Sequence, residues 1–281
     1  MGNKQDMSFF RILSVAVLAW ALTSCNSSED PAAVIEGWPK RPITISCLAA
    51  AGGGTDLVSR LMAKEMGEEL GVKINVVNRT EGGGAAAINY VAQSARDGYN
   101  WGGFSDSVLT KCVLGTSETT AKDWACFIVA GAPGVISVRP DSPYQNIEQL
   151  VAAAKANPRT IKAGASIVGC IWHAKLLALE RAADVSFQFL PFPGSHPSQL
   201  ATISGELDVV LTSISEQADL IEGGKLRPLA MIEMDSFEFP KGKTIPAAGA
   251  IYPKIADVPV NQFLGIALPS DTPAPILAKI T

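Results

Sequence analysis

From residue 41 onward the chain alternates short β-branched runs with stretches of helical period, and this alternation restricts its fold more than any other feature. Residues 41–45 read as a strand. Residues 57–70, with apolar side chains at 57, 58, 61, 62, 66 and 70, read as a helix. Further strands are expected at 73–78, 99–104, 127–130, 135–139, 160–163, 187–192, 207–211, 228–232 and 263–268. Helices are expected at 85–95, 147–156, 171–183, 197–203 and 215–221, with Pro273 opening a last one. The Pro- and Gly-rich stretch 239–260 is expected to be irregular. Strands that alternate with helices predict an α/β fold with mostly parallel sheets flanked by helices.

Two strand-to-helix junctions are built from small residues. The first runs from Ser46 to Ala51-Gly52-Gly53-Gly54-Thr55-Asp56, and the second is Gly164-Ala165-Ser166-Ile167-Val168-Gly169-Cys170. Such loops leave backbone N–H groups bare at the positive end of a helix dipole, which suits an anion. Glycines at a strand–helix turn also serve the turn alone. The loops lie roughly 110 residues apart, each in its own half of the chain. This is the arrangement expected when two α/β lobes present their strand ends to one cleft, where two helix N-termini hold one anion from opposite sides.

Composition removes several function classes. The 281 residues are 47% hydrophobic and 18% charged, with a net charge of −4, a globular composition long enough for one large or two medium domains. No basic run or aromatic–basic interleaving suggests nucleic acid, so an anion must be attracted by local donors. Neither GxxxxGK[ST] nor GxGxxG occurs, which removes the nucleotide reading. Two histidines and no CxxC argue against zinc, and no metal or organic cofactor is expected.

Nucleophilic catalysis has one candidate, Cys170 with His173 at i, i+3 on a first helical turn, a thiol-hydrolase arrangement. Catalytic Cys and His usually sit on separate elements, so no catalytic residue is assigned. Asp56 is either a first-turn carboxylate favoured by the dipole or an acceptor for a ligand amino or hydroxyl group. Trp172 belongs either to the core or to the cleft wall. Among Cys47, Cys112, Cys126 and Cys170, only Cys112 and Cys126 are close enough in sequence for a local disulfide; buried free thiols are the alternative.

The first residues read as a targeting segment: Lys4 and Arg11 supply positive charge, and 12–22 is apolar but too short for a comfortable membrane span. Leu22-Thr23-Ser24-Cys25 resembles a bacterial lipobox, which makes 1–24 a lipoprotein signal peptide, Cys25 the lipidated residue and 25–37 a tether. An ordinary signal peptide with an incidental Cys is the alternative.

A family resemblance follows from an ordered set of motifs. Trp38-Pro39, Arg41-Pro42-Ile43-Thr44 and the first small-residue loop are followed by Asn78-Arg79 with Gly82-Gly83-Gly84, then by Asp97-Gly98-Tyr99. Gly164, Ser166, Gly169 and His173 come next, then Pro191-Phe192, Gly194, Gly205-Glu206-Leu207-Asp208, 223–230 and Pro269 with Thr272-Pro273. Together these resemble the Bug-type extracytoplasmic solute receptors, the substrate-binding proteins of tripartite tricarboxylate transporters. The resemblance implies a two-lobed periplasmic-binding-protein (Venus-flytrap, type II) fold, with 38–135 as lobe 1, 136–235 as lobe 2 and 236–281 returning to lobe 1. It also implies a small carboxylate held by Ala49, Ala50, Gly52, Gly53, Thr55 and Asp56 in the first loop, Ser105 at a strand end, and Ser166, Gly169, Cys170 and His173 in the second, partly through water. The implied partners are a small organic carboxylate, the membrane subunits of a transporter and, through the lipid, the membrane outside the cytoplasm; the receptor is expected to be a monomer. A ligand-sensing receptor feeding a signalling partner is the other use of this fold. Three positions depart from the family pattern: Cys47 replaces the common Pro, Cys170 replaces the usual Ser, and the last helix is shorter than the resemblance implies.

Overall fold

Every second side chain of a buried strand must find apolar cover on one face, and the first strand shows this at once: Ile43, Ile45 and Cys47 of β1 (Ile43–Cys47) are fully buried. The computed structural model describes residues 36–233, 235–239, 242, 244–257 and 262–281. Cys25 and the segment expected to be a signal peptide lie outside the described residues. Residues 39–281 form one unit.

After β1 come α1 (Gly54–Leu70), β2 (Ile74–Asn78), α2 (Ala85–Ala92), β3 (Asn100–Ser105), α3 (Ser107–Val113) and β4 (Trp124–Ala132). The chain continues through β5 (Gly134–Val138), α4 (Ile147–Ala156), β6 (Lys162–Gly164), α5 (Ile171–Ala183), β7 (Gln188–Leu190), α6 (Ser195–Ser204), β8 (Val209–Ser213), α7 (Ile214–Glu222) and β9 (Arg227–Met231). Two short strands, β10 (Phe237–Glu238) and β11 (Thr244–Ile245), pair with each other, and β12 (Gln262–Pro269) and α8 (Ala274–Ile280) complete the described chain.

Two five-stranded sheets define two lobes. The first has the order β2-β1-β3-β12-β4, the second β7-β6-β8-β5-β9. Both are mixed. Strands β1, β2 and β3 are parallel, and so are β6, β7 and β8, as the strand–helix alternation predicts. Strand β12 runs antiparallel to β3 and β4, and β5 runs antiparallel to β8 and β9. These two are the strands by which the chain enters a sheet from the other lobe. Pro133 is the single residue between β4 in the first sheet and β5 in the second.

The second sheet is buried on both faces. Ile136, Val138, Val209 and Leu211 face one cluster with Leu150, Leu176 and Leu179, while Val135 and Val210 face another with Ile221, Leu226 and Met231. That double burial explains its uninterrupted apolar runs, and each large side chain so covered contributes about 1.5–3 kcal/mol.

In the first lobe the expected helix 57–70 is present, but its most buried face is offset from the apolar stripe, with Val58, Met62, Met66 and Leu70 only half-buried. Leu57 and Leu61 are exposed, and the inner face is Thr55, Ser59 and Ala63. Small residues there let α1 lie close on β3: a methyl group on Gly103 would stand 2.2 Å from Ser59 Oγ. Gly84, with φ +90°, turns the chain into α2 directly behind the first small-residue loop, where a Cβ would stand 2.8 Å from Leu48 O. The possible Cys112–Cys126 disulfide is not formed. Both thiols are free, Cys126 exposed on β4 and Cys112 hydrogen-bonded through Sγ to Val108 O within α3.

Gly265 marks an irregularity in the β4–β12 ladder, where the register shifts. A Cβ there would stand 2.0 Å from Phe127 O, a backbone atom that cannot retreat without opening the ladder. Gly265→Ala is therefore expected to lower the unfolding free energy by about 2 kcal/mol or more. Urea denaturation read by circular dichroism measures it, and a midpoint equal to that of the wild type would contradict the packing described.

Candidate binding site between the two lobes

The helix α1 begins without a side-chain cap. Its N-cap residue is Gly53, in extended conformation, so the first-turn N–H groups of Gly54, Thr55 and Asp56 have no intrahelical acceptor. Asp56 does not point outward to a ligand. Its carboxylate accepts from Gly52 N–H (2.9 Å), Arg60 Nε (2.9 Å) and Asn78 Nδ2 (2.8 Å), and Asn78 Nδ2 also donates to Ala49 O (2.8 Å). Burial alone would raise the Asp56 pKa, but the hydrogen bonds from Arg60, Gly52 and Asn78 outweigh it and hold the carboxyl below its ordinary value. In this structure Asp56 is a strut that shapes the loop, tied to Gly52, Arg60 and Asn78.

The helix α5 begins in the same way. Cys170 is its N-cap, extended, with no side-chain cap. Burial pushes the Cys170 thiol up to about 12, so it is neutral rather than activated. His173 accepts from Gly169 N–H through Nδ1 (3.2 Å) and stacks on Phe189 with ring centroids 4.1 Å apart. Burial lowers its pKa, which keeps it neutral. Cys47, the departure at the start of the first loop, is likewise a buried thiol pushed up to about 11, chiefly by burial.

What meets the bare helix ends is a pair of carboxylates, each from the opposite lobe. Asp106, just after β3, accepts from Ile171 N–H of α5 through Oδ2 (3.0 Å). Glu216, on α7, accepts from Gly54 N–H of α1 through Oε1 (2.6 Å). With its other oxygen, Oε2, Glu216 completes the capping box of its own helix by accepting from Ser213 N–H and Oγ. Lys111 adds a third tie, donating from Nζ to Val168 O at 3.0 Å.

The two helix ends and the carboxylates of Asp106 and Glu216 surround a cavity of about 20 Å³, room for about one water molecule. Of the residues expected from the sequence, Ala49, Gly53, Thr55, Ser105, Ser166 and Cys170 line it. Ala50, Gly52, Asp56, Gly169 and His173 do not. Ala50 packs against the Gly194 backbone, and Gly52 faces the His196 ring. Trp172 is both a cavity wall and a member of the second-lobe core. Residues that loop reasoning missed are Asp106, Ser107, Ser195, Glu216 and Gln262. Asp106 and Ser107 carried a visible signal, a polar Ser-Asp-Ser directly after an apolar strand; Glu216 and Gln262 carried none, because neither lies near a small-residue loop. Among the described residues no group of His, Cys, Asp and Glu is placed to hold a metal ion.

The chain's relatives agree with this architecture. A family model described as the tripartite tricarboxylate transporter family receptor (TctC) matches residues 58–281, and the protein belongs to that family. A Pseudomonas sp. (strain P51) protein of the tcbD-tcbE intergenic region is 26% identical over 94% of this chain and 79% of its own length. Protein BugT of Bordetella pertussis is 25% identical over 86% of this chain and 75% of its own. Among solved structures, MatC from Rhodopseudomonas palustris with bound malate is similar with a TM-score of 0.76 and 25% identity, covering 86% of this chain and 83% of that one. The periplasmic binding protein BugD is similar with a TM-score of 0.73 and 24% identity, covering 86% and 81%.

Burial pushes the Asp106 carboxyl up to about 7, offset only in part by the N–H groups of Ile171 and of Asp106 itself. The folded chain thus holds a proton that the unfolded chain has released from about pH 4 upward, and stability from this group falls as pH rises towards 7. Asp106→Asn removes that slope. Urea midpoints of the two proteins should move in favour of Asp106→Asn as pH is raised from about 5 to 8; parallel pH profiles would mean that Asp106 titrates normally.

Proposed function

We propose that the protein is an extracytoplasmic solute receptor that closes its lobes over a small organic carboxylate and presents it to the membrane subunits of a tripartite tricarboxylate-type transporter. One observation carries the reading: two helix N-termini without a side-chain cap of their own, one from each lobe, meet at the same cavity, with Ser105, Ser107, Ser166 and Ser195 in its lining. Backbone N–H groups at dipole-positive ends bind carboxylate without a formal cation, and hydroxyls and water complete the shell. Within the expected set, Gly53, Thr55, Ser105, Ser166 and Cys170 are the proposed contacts. Ala49 is a wall, while Ala50, Gly52, Asp56, Gly169 and His173 hold the loops in shape.

Malate in MatC supports a carboxylate as the ligand. The neutral thiol of Cys170 and the engagement of His173 with Gly169 and Phe189 favour binding over nucleophilic catalysis. Lobe closure is the mechanism: a ligand that touches both lobes binds the closed form better and shifts the population towards it. A lipid on Cys25 keeps the receptor at the membrane surface, with 25–37 as tether and the folded unit acting as a monomer.

A thermal-shift screen of the mature domain against propionate, succinate, malate and adipate should find a melting temperature that rises with concentration for at least one acid. No rise with any carboxylate would remove the proposal. Gly53→Val should weaken binding of that acid about 10-fold or more by filling the cavity mouth, with the unliganded melting temperature nearly unchanged. In cells, Cys25→Ser should move the protein from the membrane fraction to the soluble one; continued membrane association would point to another attachment.

A further inference from the structure

The anion position at the head of α1 is filled by the protein's own second lobe. Gly54 N–H donates to Glu216 Oε1 at 2.6 Å, a shorter tie than those from Ile171 to Asp106 and from Lys111 to Val168, both 3.0 Å. The contact depends on a glycine: a Cβ on Gly54 would stand 3.1 Å from the same oxygen. Nor is Glu216 a loose side chain. Its Oε2 accepts from Ser213 N–H (3.1 Å) and Oγ (2.6 Å), so the carboxylate is aimed across the gap by its own helix. A group oriented in advance gives up little freedom on making the contact. Around this tie the lobes press together. A Cβ on Gly194 would stand 2.9 Å from Ala50 Cβ, and one on Gly169 would stand 2.5 Å from Leu114 Cδ1. The space left, about 20 Å³, takes a water but no organic acid.

We propose that Glu216 is a built-in competitor: its carboxylate occupies the place on α1 that an incoming anion needs, and it latches the lobes shut until that anion displaces it. This rests on the solute-receptor reading above and adds the residue that sets its affinity. Entry requires the lobes to part and Glu216 Oε1 to leave Gly54, while Oε2 keeps its place on Ser213. A carboxylate on the same chain competes at an effective concentration on the order of millimolar. The apparent affinity for a solute is therefore lowered by the fraction of molecules that are latched. The latch makes the receptor selective for solutes that grip both lobes better than Glu216 does. Removing the Glu216 charge should accordingly strengthen binding, the opposite of what loss of a structural or ligand-holding residue does.

The test has one arm without solute and one with it. In the first, the mature protein is unfolded, dialysed and refolded to strip any bound acid, and its radius of gyration is measured by small-angle X-ray scattering. Glu216→Ala deletes the tie to Gly54 and should give a larger radius than the wild type. Glu216→Gln keeps the capping box of α7 and replaces a charged acceptor with a weaker neutral one, so its radius should lie between the two; it serves alone if Glu216→Ala does not fold. In the second arm, calorimetry with propionate, succinate, malate and adipate should show Glu216→Gln binding at least one of them about 10-fold or more tightly than the wild type does. The inference is overturned if the folded variants scatter like the wild type, or if every acid that binds does so no more tightly to Glu216→Gln; in either case the solute-receptor reading stands. If none of the four acids binds either protein, the carboxylate reading falls, and the scattering arm by itself decides whether Glu216 holds the lobes shut.

Discussion

A helix that starts on a residue with no capping side chain leaves amide hydrogens facing whatever lies beyond its end, and in this protein that is the other lobe. Gly53 and Cys170 open α1 and α5 without a side-chain cap. A buried amide with no acceptor costs about 1–3 kcal/mol, so each end must be met. Both are met across the gap, Gly54 by Glu216 and Ile171 by Asp106. The exchange is reciprocal: each lobe supplies the acceptor that completes the other. The supporting contacts follow from it. Asp56 fixes the first loop so that Gly54 presents its N–H outward, and the Ser213–Glu216 capping box fixes the carboxylate that receives it.

This arrangement gives the cavity an uneven electrostatic character. Its donors are backbone amides, whose partial charges are set by helix geometry and do not titrate. Its acceptors are ionisable or amide side chains, and burial makes the neutral form of Asp106 accessible near neutral pH. Overall net charge contributes nothing favourable to anion capture, since the chain carries −4. Attraction is therefore short-ranged and orientational, a matter of which groups a ligand can align on both lobes together.

The features legible in the sequence were those that depend on local pattern. Strand–helix alternation predicted the α/β class, and the two small-residue loops located the two helix ends that face each other. The buried face of α1 was not legible, because Leu57 and Leu61 fit a helical period but lie outside, while Ser59 and Ala63 pack inward against Gly103; close approach favours small residues that hydrophobic periodicity does not count. The antiparallel strands were not legible either, because local pattern does not say which sheet a strand joins. The acceptors on the far side of each loop were missed for a similar reason. Glu216 reads as an ordinary capping-box residue of its own helix, and it is that; its second oxygen acts on a glycine 162 positions earlier, a pairing no sequence window contains.

Strand β12 lies between β3 and β4 and is hydrogen-bonded to both, yet it is made after the whole of the second sheet. During synthesis β4 has no neighbour in its sheet until residues 262–269 leave the ribosome, although β5, one residue further on, can already join the second sheet. The lobe translated first is thus the one finished last. Until then it presents an open ladder on β3 and another on β4, the kind of surface that recruits foreign strands. The late arrival of this strand delays closure of the first lobe until the second sheet has been made.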